Sequence, residues 1–202
     1  MSEESKKHNK RMARLKKARD KMMESKTEEK GLIIVHTGDG KGKSSSGFGM
    51  IMRHIAWGMP CAVVQFIKGS IEPGERKFLT EGFSDVCPFF AMGEGFTWET
   101  QDRDRDIEKA EEAWEKSKEL IRDEKNSMVL LDEINIALRY DYLDINKVVE
   151  FLLEEKPFMT HVVLTGRNAL PELLEIADLA TEMKELAHPF KQGVIAQKGV
   201  EY

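Results

Sequence analysis

Little in this chain suits redox, secretory or zinc chemistry. Its 202 residues include only two cysteines, Cys61 and Cys87, without CxxC spacing. That is too few for a disulfide framework, and reduced, partly buried thiols in a cytoplasmic protein are expected. No apolar run approaches the roughly 20 residues that cross a bilayer, and no apolar signal core opens the sequence, so neither membrane residence nor secretion is expected. The five histidines, His8, His36, His54, His161 and His188, form no HExxH or paired spacing and are read as structural or surface residues. There are no internal repeats, no guanine-reading Asn-Lys-x-Asp, and no Ser or Cys set up as an activated nucleophile.

What is present is a soluble globular composition: 41% hydrophobic and 33% charged residues. A net charge of −5 argues against general nucleic-acid affinity. Residues 1–30 stand apart as an arm, with eleven Lys or Arg against six Asp or Glu and neither Gly nor Pro. Met12, Leu15, Ala18 and Met22 make a thin apolar stripe at helical spacing. This predicts a basic helix that is either a solvated tail or an arm docking on an anionic ligand or a partner subunit. Residues 31–202 read as one domain.

The densest signal is Thr37-Gly-Asp-Gly-Lys-Gly-Lys-Ser44. An apolar run ending at Val35 leads in. Phe48, Ile51, Met52 and Ile55 lead out at the spacing of one helix face. Strand, Gly-rich turn and helix opening with Gly-Lys-Ser are the context of a phosphate-binding P-loop. Glycines let backbone N–H groups turn toward an anion, and the helix N-terminus adds partial positive charge. Gly38, Asp39, Gly40, Lys41, Gly42, Lys43, Ser44 and Ser45 are therefore candidate nucleotide-binding residues. Lys43 reaches outer phosphates in such loops, and the Ser44 hydroxyl holds Mg²⁺. The departure is Thr37, which stands where the pattern has its first glycine.

Downstream, 61–67, 86–92, 127–132, 160–165 and 180–186 read as strands, with Pro88 marking the second as an edge. Helices are expected near 73–80, from Asp102 to about Glu124, from a cap at Asp144, and from a cap at Asn168 through Pro171. Strand 127–132 ends in Asp132-Glu133, a Walker-B-like pair suited to Mg²⁺. Lys68-Gly69-Ser70 and Gly166-Arg167 follow strand ends, where α/β sheets place ligand loops, and Arg167 is a candidate phosphate contact. The β-α alternation predicts a three-layer α/β fold of P-loop NTPase type. Its mostly parallel sheet has five or six strands with helices on both faces.

Several segments go further: Thr37–Ser44, Val64-Gln-Phe-Ile-Lys-Gly69, Gly95-Phe-Thr-Trp-Glu-Thr100, Leu131-Asp-Glu133, Leu164-Thr-Gly-Arg167 and the terminal Gly-Val-Glu-Tyr202. In this order they resemble the ATP:cob(I)alamin adenosyltransferases of the CobA, BtuR or CobO type. Ser44-Ser45-Ser46 stands where that family often has Thr-Thr-Ala, with both leading hydroxyls kept. The resemblance implies transfer of the 5′-deoxyadenosyl group of ATP to Co(I) of a corrinoid, with release of triphosphate. Lys43 and Glu133 would be catalytic. Mg²⁺ (or Mn²⁺) would sit on Ser44 and Glu133 with Asp132 nearby, and Phe96 and Trp98 would lie beneath the corrin ring. The resemblance also implies a homodimer whose N-terminal helix covers an active site, and a flavoprotein reductase as electron donor. Two other readings remain open from the residues: a P-loop small-molecule kinase or ATPase, and a module whose basic arm binds nucleic acid.

Overall fold

Continuous apolar runs in the central strands dictate a sheet covered on both faces. In the computed structural model, which describes residues 2–67, 72–93 and 102–202, the strands are β1 (Ile33–Thr37), β2 (Cys61–Gln65), β3 (Phe89–Ala91), β4 (Met128–Asp132), β5 (His161–Thr165) and β6 (Leu179–Glu182). They form one six-stranded sheet in the order β3-β2-β4-β5-β1-β6, and every pairing is parallel.

Ile34, Cys61, Val63, Met128, Leu130 and Val163 point to one face. There they pack with Phe48 and Ile51 of α2 (Lys43–Ala56) and Leu79 of α3 (Gly74–Gly82). Their chain neighbours Val35, Ala62, Val64, Val129, Leu131, Val162 and Leu164 point to the other. That face carries α4 (Arg103–Arg122), α5 (Ile134–Arg139), α6 (Ile145–Glu154) and α7 (Pro171–Glu175). Trp114 of α4 is a core residue, edge-on to Phe151 of α6 with ring centroids 5.3 Å apart.

The edges and one cap differ from the sequence reading. Pro88 has no N–H to donate, so β3 begins one residue later, while the Pro88 carbonyl accepts from Val63 N–H. β6 lies at the opposite edge, is exposed along its length, and spans 179–182 rather than 180–186. Helix α7 starts at Pro171 with extended Leu170 as its cap, as the residue before proline prefers. Asn168 does not cap it and instead adopts φ 54°. On α2, Met52 is exposed and Ile55 only half-buried. The two cysteines are fully buried and free.

The arm forms α1 (Glu3–Glu24), capped by the Ser2 side chain, and none of its residues is buried. Among the described residues no helix is long and apolar enough to cross a membrane.

Gly47 sets how closely α2 approaches the sheet. A Cβ there would lie 2.7 Å from Leu130 Cδ1 and 3.4 Å from Thr165 Cγ2. Gly47→Val should therefore overpack the α2–β4 contact and cost about 1–3 kcal/mol, read as a lower urea midpoint. An unchanged midpoint would contradict this packing.

Candidate active site at the carboxyl edge of the sheet

Strand register assembles the site. Gln65 pairs with Asp132, Leu131 with Leu164, and His36 with Thr165. Gln65, Asp132, Thr165 and His36 consequently form one polar row across β2, β4, β5 and β1. By alternation all four point to the α2 side, since Val63, Leu130, Val163 and Ile34 do. All four are buried. Gln65 Nε2 donates to Asp132 Oδ2 at 3.1 Å, and Thr165 Oγ1 donates to Asp132 Oδ1 at 2.8 Å. Thr165 Oγ1 also accepts the Glu133 N–H at 3.0 Å, so one hydroxyl fixes both acids of the pair.

The phosphate loop leaves β1 beside this row. Thr37 remains in the strand, and its Oγ1 accepts the Ala169 N–H at 2.8 Å, which explains why a hydroxyl residue stands there. The chain turns at Gly38, φ 99°, where a Cβ would lie 2.4 Å from the Met183 carbonyl oxygen. Gly42, φ 107°, caps α2, whose first intrahelical bond runs from Ser46 N–H to the Gly42 carbonyl. The N–H groups of Lys43, Ser44 and Ser45 thus precede any intrahelical acceptor, as anion binding requires. Gly40 N–H donates to the Met183 carbonyl at 2.7 Å, and a Cβ at Gly40 would lie 2.7 Å from the Lys184 carbonyl carbon.

The two loop lysines differ sharply. Lys43 is 7% exposed, and its Nζ donates to the Gly40 carbonyl at 2.6 Å. Burial lowers its pKa, opposed by Glu133. Lys41 lies outside, ion-paired with Glu201. Ser44 is half-buried, while Asp39 and Ser45 are exposed. His36 shares a 3.3 Å hydrogen bond with Ser46 Oγ, and burial keeps its pKa low and the ring neutral.

Glu133 caps α5 in the left-handed region, φ 64°, which costs a non-glycine residue strain. Its Oε2 is buried without a partner. Burial first, and then Asp132, push its carboxyl up to about 7, against the pull of Lys43 and Arg167. Gly166 makes space for it, because a Cβ there would meet Asn135 Cβ at 2.9 Å and Glu133 Oε2 at 3.1 Å. Asn135 Nδ2 donates to the carbonyls of Gly166 and His36, at 3.1 and 3.4 Å, joining the ends of β5 and β1. Arg167 is exposed at the rim.

The structure therefore gathers Gly38–Ser45, Asp132, Glu133 and Arg167 at one edge. Phe96, Trp98 and Lys68-Gly69-Ser70 lie outside the described residues. Sequence reasoning missed Gln65, Thr165, Asn135 and Glu201; the first two could have been found as polar residues closing apolar strands. The orphaned Glu133 Oε2, with Asp132 and the Ser44 hydroxyl, is a set of hard oxygen donors that fits Mg²⁺ or Mn²⁺. Among the described residues no group of three or more His, Cys, Asp or Glu could hold a metal by itself. An ion here would need phosphate or water oxygens as well.

Raising the Glu133 pKa from its ordinary 4.5 to about 7 has a sign. The folded state takes up a proton between those values, so stability falls as pH rises through that window. Without nucleotide or divalent ion, Glu133→Gln should gain stability relative to the parent between pH 4.5 and 8. The gain is on the order of 3 kcal/mol, read from urea midpoints. A pH-independent difference would refute the burial of an ionised acid.

Comparison with known proteins identifies the family. Residues 29–202 match the family described as ATP:corrinoid adenosyltransferase BtuR/CobO/CobP. A corrinoid adenosyltransferase of Sinorhizobium sp. is 68% identical over 96% of this chain and 91% of its own. One of Pseudomonas aeruginosa is 48% identical over 99% and 98%, and one of Escherichia coli K12 is 39% identical over the full length of both. With the phosphate loop, the buried acid pair and Arg167 meeting at one sheet edge, the chain belongs to the ATP:corrinoid adenosyltransferase family.

Proposed function

We propose that this chain transfers the 5′-deoxyadenosyl group of ATP to the Co(I) centre of a corrinoid and releases inorganic triphosphate. The cobalt supplies the electron pair of the new Co–C bond. The C5′–O pair leaves with the triphosphate. The observation that carries this reading is the family match across the whole phosphate-loop domain. The buried Lys43, whose charge and that of Glu133 act on each other, supports it.

Because the nucleophile belongs to a substrate, the protein's part is positioning and charge stabilisation. The N–H groups opening α2 and the Lys43 ammonium hold the triphosphate and stabilise charge developing on the leaving oxygen. Arg167 adds a second cation from the end of β5. Ser44 and Glu133, with Asp132 behind them, would hold Mg²⁺ or Mn²⁺, which supplies neutralisation of phosphate charge when bound. Phe96 and Trp98, two positions apart, present apolar rings to the corrinoid. A ring in place of an axial ligand cannot coordinate cobalt, which eases reduction of Co(II). We assign the basic arm to covering the active site within a homodimer, and the electron to a flavoprotein reductase.

The test is an anaerobic reaction with ATP, divalent ion and chemically reduced cobalamin, followed by the light-sensitive Co–C product and by triphosphate. ADP in place of triphosphate would instead mark a kinase or ATPase. In the same assay Lys43→Ala should lose about 10²–10³ in rate while remaining folded by circular dichroism. Near-parental turnover would overturn the role given to this lysine.

The aromatic pair makes a separate expectation. Co(II) corrinoid with ATP and the parent protein should give a four-coordinate EPR signal, which Phe96→Ala or Trp98→Ala reduces. Both variants should be slow with a protein reductant and nearly normal with pre-formed Co(I). An undiminished four-coordinate signal in both variants would remove this role.

A further inference from the structure

The chain's last residues, Gly-Val-Glu-Tyr202, lie beside the phosphate loop, and the chemistry above gives them nothing to do. The segment after β6 touches the loop at successive points. Met183 accepts the Gly40 N–H and crowds Gly38, and Lys184 lies 2.7 Å from where a Gly40 Cβ would stand. Further on, the segment turns at Gly193 and Gly199, both at φ 80°. Gly199 N–H donates to the Tyr202 carbonyl, and Glu201 N–H to that of Gln197. This turn fixes the Glu201 carboxylate, which is 16% exposed, against a Lys41 side chain that is 61% exposed. Tyr202 itself ends beside Gly74 at the start of α3.

The asymmetry in exposure assigns the roles. Glu201 is the fixed partner, and Lys41 is the long, mobile chain that it holds. Lys41 therefore points to the tail, and Lys43 alone of the two turns into the loop. We propose that Glu201 is a positioning residue. By clasping Lys41 it completes a strap, running from Met183 to the C-terminus, that holds residues 38–41 in the conformation that binds triphosphate. On this view Lys41 serves the clasp and is not a phosphate ligand. Affinity gained this way comes from ordering the loop before the ligand arrives.

The inference rests on the proposed use of ATP, and the experiment keeps the two separable. Formation of the Co–C product by the parent tests the reaction; calorimetric binding of ATP and of inorganic triphosphate, without corrinoid, tests the strap. An exposed ion pair is a modest coupling. Glu201→Gln should weaken ATP binding and raise the KM for ATP about two- to fivefold, with kcat and melting temperature kept. Glu201→Asp should recover most of the loss. Lys41→Gln should match Glu201→Gln, and the double variant should be no worse than either one. Three outcomes would each overturn the clasp: tighter ATP binding by Glu201→Gln, additive losses in the double variant, or a Lys41→Gln loss far exceeding that of Glu201→Gln. Should Glu201→Gln melt early, the comparison of Lys41→Gln with the double variant still decides additivity.

Discussion

Everything at the functional edge depends on the register of the parallel sheet. Gln65, Asp132, Thr165 and His36 come from four strands, and they meet only because β2, β4, β5 and β1 are aligned within a residue of one another. A slip of one residue in any strand would turn its polar end residue toward the α4–α7 layer and send an apolar neighbour to the α2 side. The cores on the two faces resist such a slip, since each strand buries alternate residues in both. Hydrophobic packing along the strands thus fixes hydrogen bonds at their ends, and those bonds hold the Asp132 carboxylate in a buried place it could not occupy unpaired.

The arrangement is left incomplete at the same edge. Gln65 Oε1, His36 Nδ1, Glu133 Oε2 and Asn135 Oδ1 are buried without partners, and Glu133 is strained besides. Each unpaired buried group costs of the order of 1–3 kcal/mol. In the interior of the sheet such a cluster would be a packing fault. Placed around the glycine-rich loop, it is, on the proposed reading, unspent hydrogen-bonding capacity that a bound ligand would satisfy, with stability given up for binding.

The parts of this architecture that depend on local sequence were legible in the sequence. Central strands announced themselves as short apolar runs, and the loop as glycines between a strand and a helix, two of which, Gly38 and Gly42, take positive φ. The Asp132-Glu133 pair stood out by following a strand. Edge strands were placed less well, because β3 and β6 are held from one side only and their limits follow tertiary contacts rather than composition. Asn168 looked like a helix cap by residue type, yet Pro171 forces Leu170 into the extended capping conformation. Gln65, Thr165 and Asn135 escaped notice because their partners lie 31 to 99 residues away and are chosen by strand order. No spacing rule carries that information. Family resemblance supplied the reaction, which the residues alone left at nucleotide binding.

The electrostatics of the edge also bear on how the nucleotide must arrive. In the free site Glu133 lies near Asp132, Lys43 and Arg167, and burial leaves its proton poised near neutrality. On the proposed reading a triphosphate adds several negative charges beside two carboxylates, and Lys43 and Arg167 cannot balance them. Alone, it would drive Glu133 to take up a proton and would face repulsion from Asp132, which Gln65 and Thr165 prevent from turning away. A divalent ion arriving with the nucleotide would remove both penalties, since it would give the orphaned Glu133 oxygen a partner and offset the phosphate charge. The pinned acid pair would then discriminate between ATP with its metal and ATP without it, through charge repulsion rather than through shape.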